Sequence, residues 1–351
     1  MLSDAADVRK IAIVGTGTIG SGWAAIFAAK GYSVKAYVRS EASAQKFQSF
    51  LQVSWRKVLA RGLTTDAEGW KAVRCVQNLA ECVADADYVQ ESVIEEISLK
   101  QSIISEIDEY APPHVIIGSS SSFIPLSMVR ARARLYPERV ATAHPTLPQW
   151  DDFCECLGSC EAHTRWLANF LGREHVGMDT IMMQREMHGH AHNCALNCVL
   201  MASMSLVKSG VTSAEEMDRA MVHMSRLVIA AGGVSGALVG VVGNGSVEAQ
   251  TDLAADIMLG APPAIGACMA TWMLPSFLAR FCVYLLRLWA SLYTGSAMVK
   301  RVAKSYIRYT CAPFHAQWRE GACGARDPKA FEQRGLRRMV ALAKLDDARE
   351  R

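Results

Sequence analysis

The run Gly15-Thr16-Gly17-Thr18-Ile19-Gly20 constrains this chain more than any other feature. It stands where an apolar run, Ile11 to Val14, gives way to an alanine-rich helical pattern that stops at Gly31. Three glycines in this spacing are a weak signal alone, but between a strand and a helix they have a physical reading. The first permits a tight turn, the second lets the backbone approach a pyrophosphate, and the third lets the helix pack closely on the strand. The helix N-terminus then presents its positive end to the phosphates. Gly15, Gly17, Thr18, Ile19 and Gly20 are therefore candidate cofactor-binding residues.

The first 180 residues continue in the same rhythm. Short, nearly continuous apolar runs predict strands at Ile11 to Val14, Ser33 to Val38, Val73 to Val76, Tyr88 to Glu91, Val115 to Gly118 and Val140 to Ala143. Strands covered on both faces read this way, and alternation with helical patterns implies an α/β fold, a Rossmann-type doubly wound parallel sheet. The pattern changes near residue 185. Long helical periods follow, Ala191 to Lys208 and Ser213 to Met224, the second opened by the capping box Ser213-Ala-Glu-Glu216. Two domains are expected: 1–185 dinucleotide-binding, and 186–351 helical, serving substrate binding and dimerisation. A length of 351 residues fits two domains of roughly 150 residues each.

Composition excludes several alternatives. With 51% hydrophobic and 20% charged residues the chain buries a real core, so disorder is excluded for most of its length. A net charge of +3 is too small and too evenly spread for a nucleic-acid binder. Eleven cysteines and a polar start, Met1 to Lys10, indicate free thiols in a reducing compartment, so the cytoplasm is the expected location. From Ile257 to Val299 the charges are Arg280 and Arg287 alone. A spanning helix needs about 20 consecutive apolar residues, and Pro262, Pro263 and Pro275 interrupt this run. Buried or subunit-facing helices, and hence a homodimer, are expected there; membrane association is the competing reading.

The chemistry is expected at the carboxyl ends of the strands. After the second strand, where such folds place an acidic residue on the adenosine ribose, stands Val38-Arg39-Ser40. Loss of that carboxylate, with Arg39 and Ser40 able to bind a 2′-phosphate, favours NADP(H) over NAD(H). The serine run Gly118-Ser119-Ser120-Ser121-Ser122 follows the fifth strand and borders the nicotinamide position. His144, in Ala143-His144-Pro145 after the sixth strand, can take a proton at neutral pH. Glu155, flanked by apolar neighbours in Phe153-Cys154-Glu155-Cys156-Leu157, can hold that imidazole in one tautomer.

In this order the motifs resemble the 3-hydroxyacyl-CoA dehydrogenase family, most closely its lambda-crystallin and L-gulonate 3-dehydrogenase branch. The resemblance covers most of the first 225 residues and returns at Leu342-Ala-Lys-Leu345. It implies a dehydrogenase using NAD(P), with the family leaning to NAD, and acting on a small 3-hydroxy acid or its CoA ester. It further implies Ser122 and Asn193 as partners of the reacting oxygen, His144 as general base, Glu155 as its orienting carboxylate, and Glu95 and Lys100 at the nicotinamide end. The family run G-F-x-x-N-R corresponds to Gly189-His190-Ala191-His192-Asn193-Cys194. This chain departs from the family at Val38, Leu147, Cys194 and Gly233-Val234, and in the spacing either side of His144. A diverged, non-catalytic cofactor-binding or structural member is therefore an open alternative.

Two further readings compete. The β-hydroxyacid dehydrogenases also join a dinucleotide domain to a helical one, but they need a lysine on the interdomain helix, and none occurs between Glu186 and Val207. His188, His190 and His192, with Cys194 and Cys198 near, have the residue types of a zinc site. On a helix only His188 and His192 share a face, so no metal is expected. Arg56, Lys57 and Arg61 lie on the helix that helps hold CoA in the family.

Overall fold

A computed structural model describes residues 4–230. The chain divides into two compact units, Met1–Ala195 and Leu196–Arg351. The first is built on strand β1 (Lys10–Val14), whose side chains alternate between two cores. Ile11 and Ile13 join one cluster with Trp23, Phe27, Phe47 and Trp55; Ala12 and Val14 join the other with Ile104, Ile107 and Ile117. A strand covered on both faces has no polar side to show, which is why it reads as a continuous apolar run. Each large apolar side chain removed from water in this way contributes about 1.5–3 kcal/mol.

The sheet has eight strands in the order β3-β2-β1-β4-β5-β6-β7-β8. They are β2 (Ser33–Tyr37), β3 (Arg74–Val76), β4 (Tyr88–Glu91), β5 (Ile116–Ser119), β6 (Val140–Pro145), β7 (Phe153–Leu157) and β8 (Asp179–Met182). Helices α1 (Thr18–Ala29), α2 (Glu41–Ala60), α3 (Leu79–Val83), α4 (Ile97–Tyr110), α5 (Leu126–Val129) and α6 (Glu161–Leu171) lie between the strands in sequence. The order reverses at β1, with β2 and β3 on one side and β4 to β6 on the other, as in a dinucleotide fold.

Two strands go beyond the six expected. β7 runs antiparallel to β6, and β8 continues parallel to β7, so the sheet is parallel except at one pair. Phe153 to Leu157 does alternate, with Cys154 and Cys156 buried on one face and Glu155 between them, but a charged residue at its centre masks a five-residue strand. β8 is an edge strand with mostly exposed side chains and so carries no apolar stripe.

The division between the units falls inside α7 (His190–Lys208). Within the second unit, α8 (Ala214–Ala230) opens with the Glu216 N–H donating to Ser213 Oγ at 3.2 Å. The Glu216 carboxylate pairs with Arg219 at 2.8 Å, so the serine half of the expected capping box is made and the glutamate serves an ion pair. The segment 257–299 and the rest of the expected helical domain beyond residue 230 lie outside the described residues. Among the described residues, no helix is long and apolar enough to cross a membrane.

Candidate active site

A cavity of about 560 Å³ opens above the glycine turn, within the range of small-molecule sites. Gly15 has φ +104°, and a Cβ there would fall 2.3 Å from the Ser92 carbonyl carbon. A Cβ at Gly20 would fall 1.8 Å from the Gly15 oxygen, so this glycine serves helix-on-strand packing and does not line the cavity. Gly17, the N-cap of α1, faces open space instead; a side chain there would stand in the cavity. Gly15, Gly17, Thr18 and Ile19 all line the cavity, as a backbone cradle for a pyrophosphate must. The residues present fit a dinucleotide.

The cavity spans the reversal point of the sheet. At the β2 side it is lined by Tyr37, Arg39, Ser43 and Lys46, and at the β4–β5 side by Glu95, Ser120 and Ser122. Ser40, expected to bind phosphate, is instead the N-cap of α2: its hydroxyl accepts from the Ser43 N–H at 3.2 Å. The helix needs a side-chain acceptor at that position, and the hydroxyl left for the cavity is that of Ser43.

Lys100 also differs from expectation. Its ammonium is 1% exposed and donates to Glu91 Oε1 at 2.9 Å and to the Val93 carbonyl at 3.1 Å, with Glu95 Oε2 at 3.5 Å. It lies outside the cavity lining, because a lysine buried in α4 must be paired. Glu91, which sequence reasoning missed, accepts from Lys100, the Ser119 hydroxyl (2.5 Å) and the Val93 N–H (2.6 Å). A carboxylate closing an apolar strand was its one signal. Glu95 lines the cavity, as expected of a residue at that end, and accepts from Ser121 Oγ (2.7 Å) and from the Ser122 and Phe123 N–H groups (2.9 Å each). Burial pushes its carboxyl pKa up, but the Ser121 and Phe123 hydrogen bonds and the Lys100 charge outweigh this and leave it lowered.

Register places the central pair. In the antiparallel β6–β7 ladder His144 stands directly opposite Glu155, so residues eleven apart in sequence meet across strands. His144 Nδ1 lies 2.9 Å from Glu155 Oε2, with both side chains at most 3% exposed. The other carboxylate oxygen, Oε1, accepts from the Ala191 and His192 N–H groups at 2.9 Å each, at the positive start of α7. Burial raises the Glu155 pKa, and the hydrogen bonds that Glu155 accepts from His144 and from the His192 N–H reverse this to a net lowering. An ionised carboxylate only accepts, so Nδ1 carries a proton, and in the neutral ring Nε2 is the nitrogen with the free lone pair. Asn193 Nδ2 donates to the Ser122 carbonyl at 3.2 Å, bringing the fourth expected residue to the serine turn.

His190 is the residue sequence reasoning underused. It is fully buried, its ring centroid lies 4.9 Å from that of His144, and its Nε2 donates to the Ser121 carbonyl at 2.8 Å. Its Nδ1 is buried without a hydrogen-bond partner among the described residues. Burial holds its pKa below the usual value, and its φ of +50° is a strained conformation for a non-glycine residue. His188 is exposed and the His192 ring packs on Phe153 at 4.8 Å, so the three histidines diverge. Among the described residues no three metal-ligating side chains come together.

The basic residues of α2 also have local uses. Arg61 donates to the Pro148 carbonyl at 2.8 Å and Lys57 sits 4.2 Å over the Trp150 ring, while Arg56 is exposed. Two of the three thus hold the loop after β6.

Comparison with known proteins identifies the family. The family model for the 3-hydroxyacyl-CoA dehydrogenase NAD-binding domain matches residues 10–151. L-carnitine dehydrogenase of Staphylococcus epidermidis is 32% identical over 220 residues, covering 62% of this chain and 68% of that protein. The enzyme of the same name from Oceanobacillus iheyensis is 31% identical, over 62% and 70% of the two chains. Among solved structures, an NAD+-dependent dismutase, 5-formyl-3-hydroxy-2-methylpyridine 4-carboxylic acid 5-dehydrogenase, aligns with TM-score 0.57 at 28% identity, over 63% of this chain and 73% of that one. The (S)-3-hydroxybutyryl-CoA dehydrogenase of Ralstonia eutropha shares the fold, with TM-score 0.54 at 20% identity, over 80% and 94%. The chain belongs to the 3-hydroxyacyl-CoA dehydrogenase family and is an oxidoreductase with an NAD-binding Rossmann domain.

Proposed function

We propose that this chain oxidises the secondary hydroxyl of a small free 3-hydroxy acid, using a nicotinamide dinucleotide bound along the glycine turn. The observation that carries this reading is the buried His144–Glu155 pair, oriented to leave Nε2 as a proton acceptor. A dinucleotide held by Gly15, Gly17, Thr18 and Ile19 would supply the hydride acceptor. His144 Nε2 takes the hydroxyl proton, and Glu155 stabilises the resulting imidazolium while two α7 N–H groups keep its carboxylate in place. Ser122 and Asn193 polarise the reacting oxygen, and Glu95 holds the serine turn against the cavity. Lys100 acts behind them, by pairing with Glu91 and Glu95.

A free acid is favoured over a CoA ester for two reasons. The Staphylococcus epidermidis and Oceanobacillus iheyensis relatives are named for L-carnitine, a free 3-hydroxy acid, and Lys57 and Arg61 of the helix expected to hold CoA are occupied by the loop at Pro148 and Trp150. An L-gulonate-like or L-carnitine-like acid fits this class. For the cofactor, Val38 in place of a ribose-binding carboxylate supports NADP(H). Substrate binding and assembly as a cytoplasmic homodimer are our proposal for residues 186–351. A non-catalytic role is the second reading, favoured by Leu147 and Cys194 standing where the family has polar residues; Leu147 is 40% exposed.

The deciding experiment is a panel of free 3-hydroxy acids, L-carnitine and L-gulonate included, and 3-hydroxybutyryl-CoA, each assayed with NAD+ and NADP+. Fastest turnover is expected with a free acid. Faster oxidation of the CoA ester overturns the substrate class, and dinucleotide binding without any turnover favours the non-catalytic reading.

A further inference from the structure

We infer that the β2 end of the cavity is a subsite for the 2′-phosphate of a dinucleotide, formed by Arg39, Ser43 and Lys46. The inference rests on the dinucleotide reading of the cavity and goes beyond it by assigning the residues that choose between cofactor forms. All three side chains line the cavity. Arg39 follows β2, and Ser43 and Lys46 are three residues apart on α2, hence on one helix face. Val38, at the position of the ribose carboxylate, is 1% exposed and turned into the core, where it offers no acceptor to a ribose hydroxyl.

The charge inventory points the same way. Among the described residues lining the cavity, Glu95 is the one carboxylate, and it belongs to the β4–β5 end with its oxygens engaged by the serine turn and Lys100. The β2 end carries two cations, and neither Arg39 nor Lys46 forms an ion pair among the described residues. Lys46 instead lies 5.8 Å from the Phe50 ring centroid. A 2′-phosphate carries about −1.5 to −2 at neutral pH and accepts from guanidinium, ammonium and hydroxyl donors together. The Ser43 hydroxyl is 3.1 Å from Ser40 Oγ and either can donate; when Ser40 donates, the Ser43 proton is free to point at a ligand. Glu41, in the same helical turn, is exposed and does not line the cavity.

Fluorescence titration of the full chain with NADPH and with NADH tests this directly, without turnover. NADPH should bind tighter by roughly 10- to 100-fold, and increasing salt should narrow the gap. Arg39→Met and Lys46→Met should each weaken NADPH by roughly tenfold or more while leaving NADH within about threefold. Lys46→Arg should keep the preference. NADH binding at least as tightly as NADPH, or equal weakening of both by Lys46→Met, overturns the subsite while the dinucleotide reading stands. Binding of neither nucleotide overturns both.

Discussion

The two ends of the cavity handle charge in opposite ways. On the β4–β6 side the titratable groups are buried or half-buried and already partnered, His144 with Glu155, Glu155 with the start of α7, Lys100 with Glu91 and Glu95, and of these Glu95 lines the cavity. At the β2 end Arg39 and Lys46 are exposed and form no ion pair among the described residues. Proton transfer needs groups held in one geometry and one tautomer, which a low-dielectric network of hydrogen bonds provides. Recognition of a dianionic group needs donors that can turn to meet it, which exposed side chains provide at little desolvation cost.

This contrast can be broken from its chemical end first. His144→Gln keeps a side chain that bonds to Glu155 but removes the proton acceptor, so kcat should fall by roughly 10² to 10⁴ while dinucleotide affinity is unchanged. A parallel loss of binding would mean that the pair supports the fold of the cavity instead of the reaction. Next in size, Lys100→Met leaves Glu91 buried without its cation and should cost about 3–5 kcal/mol in urea unfolding. Arg39→Met and Lys46→Met should cost almost nothing in the same assay, since both residues are exposed and unpaired among the described residues. Equal destabilisation by Lys100→Met and Lys46→Met would erase the distinction between the two ends.

A smaller effect than that of Lys100→Met is expected at His190. Replacing it with Phe removes the orphan Nδ1 but frees the Ser121 carbonyl, so at pH 8 stability should change by no more than about 1 kcal/mol. Because burial lowers the folded-state pKa of His190 below the ordinary histidine value of about 6.5, the unfolded chain binds the proton more readily. The wild-type protein therefore loses stability as pH falls below about 6.5, and His190→Phe should lose less of it. Parallel unfolding midpoints for the two proteins from pH 8 to 5 would contradict the neutral, buried imidazole. Glu155 has the complementary dependence: its lowered pKa gives stability present above the usual glutamate range and lost under stronger acid.

The glycine turn, the six strands around it and the identities of His144 and Glu155 were legible in the sequence because each depends on local rules. Glycine spacing, continuous apolar runs and a histidine at a strand end need no knowledge of distant partners. Ser40 and Lys100 have structural partners that the sequence did not show, for a common reason. A hydroxyl beside a cavity and a hydroxyl capping a helix are the same residue type in sequence, and only the start of α2 decides between them. A lysine's charge likewise says nothing of its burial until α4 carries it to Glu91.

What the sequence determined by itself is the class of the chain and the end of the sheet at which its chemistry lies, because handedness, strand covering and turn geometry follow from short stretches. What only the tertiary structure decided is which residues share a task. The antiparallel register of β6 and β7 sets His144 against Glu155, the start of α7 clamps Glu155 from the far side, and His190 comes to rest on His144. Those relations join segments up to 71 residues apart, as between Asn193 and Ser122, and no local pattern encodes such a distance. They form because a buried charge or lone pair must find a partner among whatever the fold brings within reach.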